Sequence, residues 1–363
     1  MGFKCGLVGL PNVGKSTIFN ALTSQQVAAS NYPFCTIDPN IGIVPLDDER
    51  LYRIGEIIGS AKITPTILEF VDIAGLVKGA SHGEGLGNQF LSYIQGVDAI
   101  AHMARCFEDE NIVHTSPQLD PVSDVEVVIT ELMLKDLEIV ERRLAKLSSA
   151  IKTGDPKIKE QRRIFSEIKD QLSQGIPLKK MELPQNVKEL IAESNLLTIK
   201  PAIYIANVDE NDYQHNPYAE QLQRFAETQQ EPCVVICGKV QEEISQLDAE
   251  SQQEFLQEWG LDELSLDKIV RAGYQVLDLI TFFTANKNEA HAWTIPRGTP
   301  VQKAAGKIHT DFEKGFIKAE VIKLDDLIKF GSEAKLKEHG LAAIHGKEYI
   351  VEDGDLILFR FHN

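Results

Sequence analysis

Along the first hundred residues, short apolar runs alternate with stretches of helical periodicity. Residues 4–10 read as a strand and 15–22 as the helix after it; 41–46, 66–73 and 99–107 read as further strands. Two more apolar runs, 202–206 and 233–236, follow only after a long interruption. Such alternation is the mark of a parallel sheet in a doubly wound α/β domain. We expect that domain over 1–124 and 198–279, split by an insertion at 125–197.

The insertion has a different period. Met133, Leu137, Val140, Leu144, Leu147 and Ile151 recur at alternating spacings of four and three, a heptad seam. "KTGDPK" follows as a turn, with Gly154 ending one helix and Pro156 suited to start the next. Ile158, Phe165, Ile168 and Leu172 make the return stripe. An antiparallel, coiled-coil-like arm of about 30 Å is expected at 1.5 Å per residue, the plainer alternative being a helical pair lying flat on the main domain. From 280 to 363 the segments shorten, with hairpin punctuation at "ANKNEAHAW" and "VEDGD", and predict a separate small α+β domain.

Composition narrows the class. The chain has 363 residues, 43% hydrophobic and 25% charged, as in an ordinary globular protein. No apolar run would span a bilayer, no signal-peptide pattern opens the chain, and Gly6 stands where a myristoylation signal needs Ser or Thr. The five cysteines (Cys5, Cys35, Cys106, Cys233 and Cys237) include no CxxC, which points to reduced thiols in a cytoplasmic protein. A formal charge of −17 argues against a surface that coats nucleic acid. Between Lys135 and Lys180, however, 12 Lys/Arg face 7 Asp/Glu, so RNA contact is expected on the arm first.

The chemistry sits in "GLPNVGKST", residues 9–17, which matches GxxxxGK[ST] between a strand and a helix. Asn12, Val13, Gly14, Lys15, Ser16 and Thr17 are expected to cradle phosphates, with Lys15 reaching the β- and γ-phosphates and Ser16 ligating Mg²⁺. "LEFVDIAG" brings Asp72 to the Mg²⁺ and the Gly75 N–H to the γ-phosphate, and Thr36 in "YPFCTIDPN" is a further Mg²⁺ ligand when its loop closes. Read singly, Asp72 ends an ordinary buried strand and Thr36 is a loop threonine. Leu76 stands where many P-loop GTPases carry the Gln that orients the attacking water. His114 in "NIVHTSP" and His82 in "GASHGEGLG" are the replacements considered, His114 ahead of His82, each otherwise a solvated loop histidine.

A weakened base motif closes the set. "IYIANVDEND" ends an apolar strand with Asn207, Val208, Asp209 and Glu210 where a guanine site reads Asn-Lys-x-Asp. Val208 lacks the lysine stem, and Glu210 sets its carboxylate one methylene farther out. Adenine offers no N1–H or 2-amino group for that carboxylate. Asn207 can still serve an N7 and 6-amino edge. The chemistry favours ATP and leaves GTP open.

Together these segments resemble the Obg family. "GLPNVGKST", "YPFCTIDPN" and "DIAGLVKGASHGEGLGNQFL" are similar to its P-loop and two switches. The "NVDE" motif, the helical arm and the tail from "AAGKIHTDFEKGFIKAEVI" to "IVEDGDLILFRF" resemble its YchF-type branch, the Obg-like ATPases. The resemblance covers essentially the whole chain. It implies a C-terminal TGS domain of β-grasp type, preference for ATP, a hydrophobic residue in the place of the catalytic Gln, and links to ribosomes, translation and stress. On matching positions it implies Mg²⁺ at Ser16 and Thr36, and adenine read by Asn207 and the Val208 backbone. "ICGKV", around Cys237, departs from the Ser-Ala-Lys that usually completes the base pocket.

Three functions are therefore weighed: a slow, Mg²⁺-dependent ATPase switch, monomeric, docking on the ribosome or its large subunit and touching RNA through the arm and tail; a GTPase of translation; and an adaptor in which nucleotide only stabilises the fold.

Overall fold

The computed structural model describes residues 3–24, 40–73, 93–109, 118–150, 155–213, 215–258 and 264–362. Six strands make the first sheet: β1 (Phe3–Val8), β2 (Ile41–Leu46), β4 (Thr66–Asp72), β5 (Ala99–Arg105), β6 (Ala202–Asn207) and β7 (Cys233–Ile236), in the order β2-β4-β1-β5-β6-β7. All neighbours run parallel except β2, which pairs antiparallel with β4 and forms one edge. β6 explains why the apolar runs are unbroken rather than alternating. Ile203 and Ile205 enter one core cluster with Leu7, Ile18 and Ile269, while Tyr204 and Ala206 enter another with Leu222 and Val240. A strand buried on both faces has no polar side to show.

Two long helices, Pro121–Ala150 and Pro156–Ser173, occupy the insertion. Five of the six seam residues (Met133, Leu137, Val140, Leu144 and Leu147) share a cluster with Ile158, Phe165, Ile168 and Leu172, as the heptad spacing predicts. The helices run antiparallel: Lys169 pairs with Glu141 at 2.8 Å, and the Arg143 guanidinium lies 5.9 Å from the Phe165 ring centre. Asp155 accepts the Lys157 N–H at 2.8 Å and Pro156 opens the second helix. Ile151 and Gly154 lie outside the described residues. The pair is tied back by Asp136, a fully buried carboxylate that accepts the Leu197 N–H at 2.6 Å, the Thr198 N–H at 2.8 Å and the Thr198 hydroxyl at 2.7 Å.

The second sheet is mixed, in the order β11-β10-β12-β8-β9-β3. It is built from β8 (Leu279–Ala285), β9 (Glu289–Pro296), β10 (Phe316–Ile322), β11 (Ala343–His345) and β12 (Leu356–Phe361), with β3 (Lys62–Thr64) as its outer strand. β8 begins at Leu279, beside the expected boundary at 279/280, and this second sheet also takes in residues from the 1–124 stretch. β3 pairs parallel with β9, Ile63 opposite Ala290, and Leu51 and Ile54 of the helix Glu49–Ile58 pack against Phe283 and Leu356. Arg50 fixes the join, bonded to Asp48 at 2.8 Å and Asp353 at 2.7 Å. The buried side of that helix thus packs on residues more than two hundred positions away in sequence as well as on nearby Ile63.

Candidate functional site

The phosphate loop leaves β1 and enters the helix Lys15–Ser24 through two left-handed residues, Asn12 at φ 64° and Gly14 at φ 97°. A Cβ on Gly14 would run into the Asn207 amide, so the glycine serves both the turn and the close approach. Lys15 is largely buried and curls over the loop, its ammonium donating to the carbonyls of Gly9 at 3.1 Å and Leu10 at 3.2 Å. Burial lowers its pKa, and Asp72 works the other way.

Asn12, Gly14, Lys15, Ser16 and Thr17 line a cavity of about 520 Å³ together with Phe107, Asp109, Asn207, Val208, Asp209, Cys237, Gly238, Lys239 and Glu242. Five of the six expected loop residues are therefore on its wall. The sixth, Val13, sends its side chain into the core at 1% exposure and contributes only backbone. Its carbonyl accepts the Asn207 Nδ2 at 2.9 Å, while the Asn207 Oδ1 accepts the Gly238 N–H at 2.9 Å. Asn207 thus commits one lone pair of its oxygen and one amide hydrogen to the protein, leaving a second lone pair and a second Nδ2 hydrogen.

Glu210 does not line the cavity. Asp209 accepts the Asn211 N–H at 3.1 Å and caps the one-turn helix Glu210–Asp212, which turns Glu210 outward to an exposed position. Val208 is 2% exposed, its N–H bonded to the Ile236 carbonyl at 2.8 Å.

Asp72 ends β4 opposite Leu7, the residue two before Gly9. Burial raises its pKa and the Lys15 charge lowers it, and its Oδ1 is buried with no hydrogen-bond partner among the described residues. The orphaned carboxylate oxygen that ends β4 and the exposed Ser16 on the cavity wall are oxygen donors of the kind that fits an oxygen-seeking cation such as Mg²⁺. Thr36, Gly75, Leu76, His82 and His114 lie outside the described residues.

Phe107, Asp109 and Glu242 escaped the sequence reading, whereas Lys239 belongs to the "ICGKV" stretch already singled out. The three follow a strand end by two to six residues, where an apolar or charged letter carries no phosphate-binding signature. Only the register of β5, β6 and β7 brings them to one rim.

Comparison with known proteins agrees with this geometry. Residues 4–141 match the family described as 50S ribosome-binding GTPase, and residues 279–362 match a C-terminal YchF-GTPase family described as of unknown function. Proteins called ribosome-binding ATPase YchF are 48% identical in Pasteurella multocida and Escherichia coli O157:H7 and 44% in Bacillus subtilis, each over the full length of both chains. The structure of the Schizosaccharomyces pombe YchF GTPase superposes with a TM-score of 0.89 at 35% identity, covering 99% of this chain and 98% of that one. With a phosphate loop, a strand-borne acidic residue and full-length relatives of this similarity, the chain belongs to the YchF family of P-loop NTPases.

Proposed function

We propose that this chain is a Mg²⁺-dependent ATPase switch that prefers ATP to GTP, hydrolyses it slowly to ADP and phosphate, and works in the cytoplasm as a monomer docked on the ribosome. The observation that carries the reading is the Asn207 bridge. It closes the phosphate loop onto the cavity, with one Asn207 amide hydrogen left over and Glu210 off the wall. Guanine needs that carboxylate for its two edge donors; adenine does not.

Ser16 and Asp72, with Thr36, would hold Mg²⁺, which supplies charge neutralisation between the β- and γ-phosphates when bound. Lys15 releases its hold on the Gly9 and Leu10 carbonyls to meet the phosphates, and Gly75, which follows Asp72 by three residues, is the residue assigned to offer its N–H to the γ-phosphate. Ribosome binding is carried over from the names of the relatives. Its contacts are assigned to the arm at 125–197 and to the C-terminal unit at 280–363, which we read as a TGS domain touching RNA, in a role in translation and stress. The rival, a GTPase, finds support in the description of the N-terminal family.

Titration calorimetry with ATP and GTP separates them. ATP binding about tenfold tighter, or about 1.4 kcal/mol, is expected. Equal dissociation constants would remove the preference, and turnover unchanged by added ribosomes would remove the docked switch.

A further inference from the structure

Four hydrogen bonds converge on one short stretch of chain at the cavity rim, 105–109. Arg105, the last residue of β5, is 3% exposed. Its Nε donates to the Phe107 carbonyl at 2.8 Å and its Nη2 to the Asp109 carbonyl at 3.2 Å. Its guanidinium carbon lies 4.7 Å from the centre of the Phe107 ring. From the segment after β6, Asn216 Nδ2 donates to the Cys106 carbonyl at 2.8 Å and the Tyr218 hydroxyl to Glu108 at 2.6 Å. Phe107 and Asp109 line the cavity, whereas Arg105 does not.

Burying a guanidinium at the end of an otherwise almost wholly apolar strand is costly. An aliphatic residue would fill the space more cheaply. What arginine adds is a rigid planar fork, able to fix two carbonyls at once and to lie over an aromatic face. The fork therefore sets both the backbone and the ring of Phe107. With the cation 4.7 Å from its centre, that ring is also part of the cavity wall.

We propose that Arg105 is a positioning residue for the base half of the site, acting through Phe107 to hold the ring as a wall on which the base stacks. The inference rests on the reading of the cavity as a nucleotide site. Stacking is indifferent to the base's edge groups, so Arg105 serves affinity and leaves the choice between ATP and GTP alone. Because it stands behind the wall, it does not touch the phosphates.

The test measures binding of ATP, GTP and Mg²⁺-tripolyphosphate to wild type, Arg105→Gln and Arg105→Lys, with the melting temperature of each. Arg105→Gln is expected to weaken ATP and GTP together by roughly tenfold, about 1.4 kcal/mol, with tripolyphosphate unchanged. Arg105→Lys keeps the charge but not the fork and recovers only part of the loss. In a Phe107→Leu background, Arg105→Gln should cost less than about threefold more, as expected of two residues acting as one unit. Unchanged ATP affinity in a well-folded Arg105→Lys overturns the proposal. So does an equal loss for tripolyphosphate, or multiplicative losses in the double variant. A wild type that binds tripolyphosphate but not ATP overturns the nucleotide reading itself, a different result from any of these.

Discussion

Asn207 Nδ2 donates to the Val13 carbonyl at 2.9 Å, although 194 residues separate the two in sequence. With the Gly238 N–H on its other atom, this one side chain joins three strand ends around the cavity. Asn207→Ala leaves a buried carbonyl and a buried N–H unpaired, each costing about 1–3 kcal/mol. Nucleotide affinity should fall by at least about tenfold and the melting temperature by several degrees, on the order of 2–4 °C per kcal/mol in a protein of this size. Asn207→Asp, which keeps the acceptor and loses the donor, should fail nearly as badly; wild-type affinity in that variant would mean that the Val13 contact is incidental.

Asp72 carries a carboxylate that burial disfavours, with Lys15 opposing the shift. Its folded pKa is raised above the ordinary value, so its contribution to folding is present in acid and lost as pH rises through that pKa. In neutral solution without Mg²⁺, Asp72→Asn should therefore melt no lower than wild type, and the Mg²⁺ dependence of nucleotide binding should disappear. For wild type, Mg²⁺ affinity should weaken as acid protonates Asp72. A variant that keeps full Mg²⁺ dependence would move the ion elsewhere.

Asp136 shows a different balance. Burial pushes its carboxyl up to about 6, despite the Leu197 and Thr198 donors that favour the charged form. The proton is held more tightly in the folded state, so the stabilisation is fully present below the unfolded pKa of about 3.9 and is lost as pH rises through 6. Asp136→Asn turns an acceptor into an amide facing two N–H groups and should be less stable than wild type, by about 1–3 kcal/mol. Because asparagine does not titrate, the gap in melting temperature should narrow between roughly pH 5 and pH 7; a constant gap would assign the cost to packing alone.

What the sequence disclosed and what it hid follow from the range of each signal. The phosphate loop was legible because its chemistry fixes residue types at fixed spacing, and five of its residues reach the cavity. The heptad seam was legible for the same reason, its period being local. β3 was not: three residues, Lys62–Thr64, carry no period, and the partner that makes them a strand is β9. Asp136 reads as one more acid on a helix facing water; only its bonds to Leu197 and Thr198 show it to be a tie between the helix and the turn that leads into β6. Phe107 reads as the tail of an apolar run, and its exposure to the cavity depends on where β5 stops.

The arm's local excess of positive charge is partly cancelled at short range. Arg142 bonds Glu138 at 2.8 Å, Arg163 bonds Glu160 at 2.7 Å and also Glu167, and Lys169 bonds Glu141. Reversing Arg163 would repel two neighbours and confuse a binding test with helix stability. Lys146→Glu with Arg162→Glu, both exposed, is the cleaner pair. It should weaken ribosome binding and reduce the salt slope by about two, near one per phosphate contact. Affinity and slope left unchanged would return this surface to a solvated helical face.

The final prediction concerns the water-positioning residue. With Leu76 in the Gln position, a hydrogen-bonding group must come from elsewhere, and His114 is preferred to His82. Asp109 lines the cavity, and His114 follows it by five residues. An extended chain covers about 3.3–3.6 Å per residue, so His114 is tethered within roughly 18 Å of that rim. His82 stands among Gly79, Gly83, Gly85 and Gly87, where holding a side chain in place costs more backbone entropy. Neither histidine is asked to hold the ground state, so both alanine variants should bind ATP as wild type does. His114→Ala should then lower the turnover number by about ten- to a thousandfold, the range of a positioned acid–base or water-orienting group. Single-turnover hydrolysis with ribosomes present reads the chemical step directly. If His114→Ala hydrolyses at the wild-type rate while His82→Ala does not, the two roles are exchanged; if neither variant slows, a group other than these histidines orients the water.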